Sequence, residues 1–181
     1  GKGFSNALSR LIISKSCPVI TPFHKFAGQA RELARGAGRF GSCGMGVGEA
    51  MNDFAENSGD CLTIGDLARA DIVASKLRRL RSDKIAVVER ILKTRQSDEI
   101  EECLNEVRSY ELFKGCCQSY LTFSSFPVEF DDGRLFKEIL ARPGAVVFEG
   151  AQGALLDRNF GFNPFVTKSD CTFTNAEKLL A

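Results

Sequence analysis

Two stretches of the chain carry residues whose types and spacing can do chemistry. The first is Gly41-Ser42-Cys43-Gly44-Met45-Gly46-Val47-Gly48, part of a run with six glycines in the thirteen residues from Gly36 to Gly48. Glycine tolerates positive φ, so successive N–H groups can turn toward one anion and form a nest. Ser42 is the hydroxyl best placed to add a side-chain donor, and a helix suggested by Glu49-Ala50-Met51 would add the amides of its positive end. The spacing is not a Walker A loop, which needs Gly-Lys-Ser/Thr, nor a dinucleotide fingerprint behind a strand. On glycine spacing alone the stretch reads either as an anion-binding nest or as a flexible connection.

The second stretch runs from Phe148-Glu149-Gly150-Ala151-Gln152-Gly153 through Asp157 and resumes at Pro164-Phe165-Val166-Thr167. It reads as a buried strand that empties into a polar, glycine-bearing loop, the place where α/β proteins hold ligands. Gln152 offers two donors and an acceptor suited to an amide-like base edge or a ribose, and Thr167 offers a hydroxyl. The structural alternative is that Gln152 closes the loop backbone and Thr167 caps or pairs a strand.

Other reactive types are weaker candidates. His24, the single histidine, titrates near neutrality in its unperturbed form, but a lone histidine in the first turn of a helix reads as structural. The seven cysteines are odd in number and lack C-x-x-C spacing, which points to reduced, buried thiols and away from a zinc site. Cys116 and Cys117 read as helix packing. The basic run Lys76, Arg78, Arg79, Arg81 and Lys84 reads as a solvated helix face answered by acidic residues of the next helix.

The elements that must position these residues follow from pattern and punctuation. Leu11-Ile12-Ile13 is a short apolar candidate for a central strand, and Cys17-Pro18-Val19-Ile20 continues extended because proline disfavours helix before it. Thr21 as N-cap and Pro22 at the first helical position open a helix that stops at Gly36. From Ala68 to about Lys93, Val73, Leu77, Leu80, Val87 and Ile91 recur at helical spacing, with Lys84 interrupting. A further helix is expected from Ser97 to about Leu121, with Ile100, Cys103, Leu104 and Val107 as its inner stripe and Asp98, Glu99, Glu101 and Glu102 at its positive end. Gly133 to Arg142 is another helix, Pro143-Gly144 ends it, and Ala145 to Phe148 is the strand feeding the second loop. An apparent helix begins at Asn175.

The order strand, helix, loop, helical insert, strand predicts an α/β sheet domain interrupted by an all-helical subdomain. The expected divisions are 1–48, 49–142 and 143–181. With 44% apolar residues, the 181-residue chain can bury a core. Lys plus Arg number 24 against 23 Asp plus Glu, so no global field favours nucleic acid or an anionic membrane, and any anion must be held locally. No apolar run approaches a membrane span and no signal core follows the start, so the expected location is the cytoplasm. The opening Gly1-Lys2-Gly3 lacks an initiator methionine, consistent with a chain cut from something longer.

These segments resemble adenylosuccinate synthetases. Ser16-Cys17-Pro18-Val19-Ile20, His24, Ala30-Arg31-Glu32 and Ala34-Arg35-Gly36 are similar to the family's "ACPLI…H…AREKARG". Gly41 to Gly48 resembles its "GTTGRGIG" loop, Ile64-Gly65-Asp66-Leu67 its "VGDL", and Glu149 to Asp157 with Pro164 to Thr167 its "EGAQG…LLD…P[FY]VT". The resemblance implies a P-loop-like nucleotide-binding sheet domain. It also implies a ligase that phosphorylates the 6-oxygen of inosine monophosphate (IMP) using GTP and Mg2+, then displaces that phosphate with the amine of L-aspartate. In family terms Ser42, Cys43, Gln152 and Thr167 hold IMP, Gly41, Gly44, Gly46 and Gly48 form the phosphate loop, and two subunits pair as a homodimer.

Three departures stand out. A family threonine that contacts phosphate is Cys43 here, the family's loop arginine is Met45, and the arginine pair that reaches the partner's nucleotide is missing between Gly44 and Asp66, where Asn52 and Asn57 cannot supply the charge. The resemblance covers the middle of the family's chain. The "WGDEGK" loop with the catalytic, metal-binding aspartate, the "GGHNAGH" segment with the catalytic histidine, and the C-terminal arginine loop and guanine motif have no counterpart in these residues. Gly1-Lys2-Gly3 is not that first loop, because no aspartate precedes it. These 181 residues are therefore not expected to catalyse ligation alone, and the family's metal ligands fall elsewhere. The rival expectations are a non-catalytic nucleotide-binding paralogue and a ligase acting on another 6-oxopurine nucleotide.

Overall fold

A computed structural model describes residues 6–39, 41–123, 125–126, 128–167 and 169–180; Gly1-Lys2-Gly3 lies outside them. Entry into the first long helix follows directly from local chemistry. Cys17 to Ile20 runs extended, with the Val19 N–H donating to the Leu62 carbonyl at 2.8 Å and Pro18 bridged to Thr63. Thr21 then caps α1 (Pro22–Arg35) through a reciprocal capping box with His24, and Gly36 ends the helix at φ 57°. The sequence boundaries hold at both ends.

The chain divides into two compact units, Gly1–Lys137 and Glu138–Ala181. In the first unit α1 is followed by α2 (Val47–Asn57), α3 (Ala70–Thr94), α4 (Asp98–Arg108) and α5 (Tyr110–Phe123). A short β1 (Ile12–Ser14) pairs in parallel with β2 (Glu129–Asp131), Ile13 opposite Phe130. The structure is thus mixed α/β and mostly helical, with a small two-stranded parallel sheet among the described residues. α6 (Arg134–Leu140) follows β2, its start held by Asp131, whose carboxylate accepts from the N–H groups of Gly133, Leu135 and Phe136. α7 (Thr174–Leu180) lies in the second unit.

α1 packs on α2, α3 and α4, and α3 packs on α4 and α5. Ala27 and Ala30, both fully buried, let α1 approach α4 closely, where they meet Val88, Ile100, Cys103 and Leu104. A second cluster gathers Phe23, Val73, Leu77, Val107 and Cys116 with Leu62 and Leu67. The inner stripe foreseen for α4 is buried at all four positions. On α3 the stripe includes Val88 rather than Val87, and the residue that breaks it, Lys84, is itself buried.

Several expectations change. The helix foreseen over 97–121 is two helices, because Ser109 leaves helical geometry and its Oγ accepts from the Leu112 N–H at 3.1 Å, capping α5. Arg81 reaches the end of α4, donating to the carbonyls of Val107 and Arg108. Ser97 precedes α4 without a side-chain cap bond. Ala145 to Phe148 forms no strand, and Val147 is 87% exposed. A strand needs a neighbour to satisfy its N–H and C=O groups, and among the described residues β1 and β2 pair only with each other. The thiols are all free, with Cys103 and Cys116 buried but Cys17 and Cys43 exposed. Burial pushes the Cys116 thiol up to about 11, with Cys117 adding to it.

No helix among the described residues is long and apolar enough to cross a membrane. Leu77 anchors α3 in the core at zero exposure, so Leu77→Ala should cost about 2–5 kcal/mol of unfolding free energy, measurable by urea denaturation.

Candidate functional site

The glycine loop lies between α1 and α2. Gly41, Gly44 and Gly46 have φ of 68°, 68° and 86°, while Met45 between the last two stays at negative φ. That alternation turns successive amides to one side. α2 begins at Val47, two residues before the start suggested by Glu49-Ala50-Met51, with Gly46 as a left-handed N-cap and no side chain capping its first turn. Gly48 is already helical. Ser42 and Cys43 are exposed at the loop's tip.

Gly46 is demanded twice over. Its φ disfavours L side chains, and a Cβ there would come within 2.5 Å of the Lys25 nitrogen and 2.7 Å of the His24 carbonyl carbon. The loop therefore rests on the first turn of α1, backbone against backbone.

Beneath the loop two carboxylates on successive turns of α2 tie it to both neighbouring helices. Glu49 places one oxygen 2.6 Å from Arg31 Nε on α1 and the other 3.2 Å from Lys84 Nζ on α3. Asp53 does the same with His24 Nε2 on α1 at 3.2 Å and Lys84 Nζ at 2.7 Å. The earlier α1 residue meets the later α2 residue, so the two helices run antiparallel. Glu49, His24 and Lys84 are all buried. His24 Nδ1 accepts the Thr21 N–H at 3.0 Å, which leaves the proton on Nε2 to donate to Asp53. The histidine thus joins the start of α1 to α2. Burial pushes the Asp53 carboxyl up, but the hydrogen bonds from His24 and Lys84 and the Lys84 charge outweigh it and hold it below the ordinary carboxylate range.

The basic run on α3 is answered from an unexpected side. Lys76 pairs with Asp66 at 2.8 Å, Arg79 with Asp60 at 2.7 Å and Lys84 with Glu49 and Asp53, all on α2 and the segment after it rather than on the helix that follows. Sequence reading missed this network, although Lys84 inside an apolar stripe and Glu49 and Asp53 at i, i+4 were its available signals.

Gly41, Ser42 and Gly44 line a cleft of about 500 Å³ with Gln29, Leu33 and Arg39 of the same unit, and with Glu32, Glu99, Glu102 and Cys103. The loop's amides and the Ser42 hydroxyl are donors for an anion, while Glu99 and Glu102 make one wall of the cleft acidic. A separate cavity of about 450 Å³ is lined by His24, Arg31, Glu49, Asp53 and Lys84 among others. Among the described residues no cluster of three or more His, Cys, Asp or Glu could hold a metal ion.

The second unit is organised around Asp157, which has no exposed surface. Its carboxylate accepts from the N–H groups of Cys171 at 2.6 Å, Asn159 at 2.8 Å and Phe160 at 3.1 Å, bonds that hold its carboxyl below the ordinary range against burial. The turn 157–161 is thereby fastened to residues 169–171. Thr167 donates its N–H to the Leu156 carbonyl at 2.8 Å, and its hydroxyl lies 3.1 Å from Ser169 Oγ. Gln152 is exposed on the loop before Asp157.

Residues 1–179 match the family model for adenylosuccinate synthetase. The chain belongs to that family. It is 36% identical over 171 residues to the adenylosuccinate synthetase of Methylibium petroleiphilum, covering 93% of this chain and 35% of the relative. Identity to the Shewanella piezotolerans adenylosuccinate synthetase is 33% over 163 residues, 90% of this chain and 35% of that one. For the Desulfovibrio desulfuricans adenylosuccinate synthetase the figures are 34% over 175 residues, 97% and 38%. The chain thus spans about a third of the length of these curated relatives. Within the adenylosuccinate synthetase family, both glycine-bearing stretches singled out above lie inside the matched region.

Two measurements follow from this geometry. Gly46→Ala should lower stability by at least about 1–3 kcal/mol, the cost of a left-handed φ with a side chain, and thermal denaturation would read the loss. Asp53 contributes stability above its unfolded carboxyl value, and that contribution disappears as pH falls through its lower folded value. An acid titration followed by circular dichroism should therefore show a drop in wild-type stability below about pH 4 that is smaller in Asp53→Asn.

Proposed function

We propose that this chain contributes part of the nucleotide site of an adenylosuccinate-forming ligase, in which GTP phosphorylates the 6-oxygen of IMP and L-aspartate's amine displaces that phosphate. The observation that carries the reading is the family match across residues 1–179, coinciding with a loop whose glycines alternate into positive φ at Gly44 and Gly46. In this reading 1–48 and 143–181 belong to a P-loop-like α/β nucleotide domain and 49–142 to its helical subdomain.

The amides of Gly41, Gly44, Gly46 and Gly48 and the Ser42 hydroxyl bind the IMP phosphate by fixed dipoles that need no reorganisation. Cys43 gives a weaker donor than the threonine its position would otherwise carry. Gln152 and Thr167 orient the nucleotide on the second loop. GTP and Mg2+ are co-substrate and metal; the described residues do not fit a magnesium site, so no step through the metal is assigned to them. The enzyme works as a homodimer in the cytoplasm, and the near-neutral charge supports a role without nucleic acid or membrane.

A second reading draws on charge. From Gly41 to Asp66 the chain holds Glu49, Asp53, Glu56, Asp60 and Asp66 and no lysine or arginine, and the loop's cleft is lined by Glu99 and Glu102. The segment thus offers a phosphate only neutral donors, weaker than cationic ones, which favours a nucleotide-binding paralogue without turnover, or a ligase for a different 6-oxopurine nucleotide.

The deciding experiment is GDP release by the native full-length polypeptide with GTP, aspartate and either IMP or the guanosine nucleotide. Turnover with IMP supports the first reading, and micromolar binding without turnover supports the second. Within the first, Gln152→Ala should weaken nucleotide binding by about 1–3 kcal/mol, read by calorimetry. Cys43→Thr should tighten it by about 0.5–1.5 kcal/mol, and an unchanged affinity would remove Cys43 from the phosphate contact.

A further inference from the structure

Lys84 occupies a position on α3 where the apolar spacing leaves room for a hydrophobic residue, and it is 3% exposed. A buried ion pair contributes little net stability compared with well-packed apolar groups of similar size, so its presence is better explained by what it fixes than by how much it stabilises. Lys84 Nζ bridges Glu49 and Asp53, one turn apart on α2, while Arg31 and His24 hold the opposite oxygens of the same two carboxylates from α1. A single apolar contact would let α2 slide or rotate by a fraction of a turn. Four directional bonds to two carboxylates allow neither.

From this geometry we infer that Glu49, Asp53 and Lys84 are positioning residues that set the axial place of α2 and thereby preorganise the amides of the glycine loop. The link to the loop is short. Gly46 is the N-cap of α2, its carbonyl accepts the Ala50 N–H at 3.0 Å, and it lies so near the backbone of Lys25 and His24 that a Cβ on it would collide with them. Any shift of α2 along its axis displaces Gly46 against α1, in a place with no room for it. Glu49 Cγ also lies 3.4 Å from where a Cβ on Gly28 would sit, so the clamp and the helix contact share one surface. These groups act through the loop and not by contact with substrate. The part of the inference that concerns ligand binding rests on the nucleotide reading above.

The test compares the wild-type full-length protein with Glu49→Gln/Asp53→Asn/Lys84→Met, which removes the three charges while keeping side-chain volume. Melting temperature, hydrogen exchange of the amides of residues 50–53 in the first hydrogen-bonded turn of α2, beginning with the Ala50 N–H held by the Gly46 carbonyl, and IMP affinity are measured on each. The expected result is a folded protein whose 50–53 amides exchange about tenfold faster or more while the α4 amides are unchanged. IMP affinity is expected to fall about tenfold, the order that supporting contacts around a site are worth. Unchanged exchange at 50–53 in the folded triple variant overturns the inference. Faster exchange with unchanged IMP affinity overturns its connection to the site. If the triple variant does not fold, Glu49→Gln alone, which loosens the clamp at the first turn of α2, decides the matter by the same exchange measurement. If wild-type protein binds no IMP, the functional reading fails, while exchange at the start of α2 still tests the positioning.

Discussion

The ammonium of Lys84, held between Glu49 and Asp53, is the contact on which the arrangement around the glycine loop depends. Three helices meet there. Each of these two carboxylates is shared between a cation or N–H donor on α1 and the same lysine on α3, so charge is balanced locally and no lone pair faces the interior unanswered. Taking any one partner away would strand a buried charge, which is far more damaging than never having placed it there. The geometry is therefore cooperative, and its consequence is positional: the start of α2, and with it Gly46, has one place to be.

The apolar packing works on a different principle. Ala27 and Ala30 let α1 sink against α4, and Phe23, Leu77 and Val107 fill a second cluster. These contacts supply burial but tolerate small displacements, because dispersion is non-directional. The ionic clamp supplies the direction that they lack. Arg81 performs a related service at the far end of α4, satisfying carbonyls that the helix terminus leaves open. In the second unit Asp157 plays the corresponding part alone, collecting backbone N–H groups from two segments. Both glycine-bearing stretches are thus held by buried carboxylates rather than by regular sheet.

The family relationship and the charge pattern pull in different directions at the loop. Positive φ at Gly44 and Gly46 and an uncapped helix start offer amide donors. From Gly41 to Asp66 the chain carries no lysine or arginine, and four of its five carboxylates are spent on structure: Glu49 and Asp53 on Lys84, Asp60 on Arg79, Asp66 on Lys76. A carboxylate already paired contributes little field at a distance, which softens the apparent acidity of the segment. Glu99 and Glu102 on α4 lie closer to the loop's cleft.

Much was legible in the sequence where a few adjacent residues decide the outcome. Thr21-Pro22 and Gly36 fixed the ends of α1, because capping and φ preference act within one turn. The stripe of α4 and the glycine loop itself were equally plain, as were the family segments on both sides. Only the tertiary structure decided which charges pair, since Lys84 and Glu49 lie far apart in the chain and a basic run looks the same whether solvated or buried. It also decided that Ser109 divides one apolar pattern into two helices, and that Ala145 to Phe148 is not a strand. Pattern reports a segment's preference, whereas a strand exists only when another supplies its hydrogen bonds. For the same reason the sequence determined that the chain carries a glycine loop, and the three-helix clamp determined where that loop's amides are held.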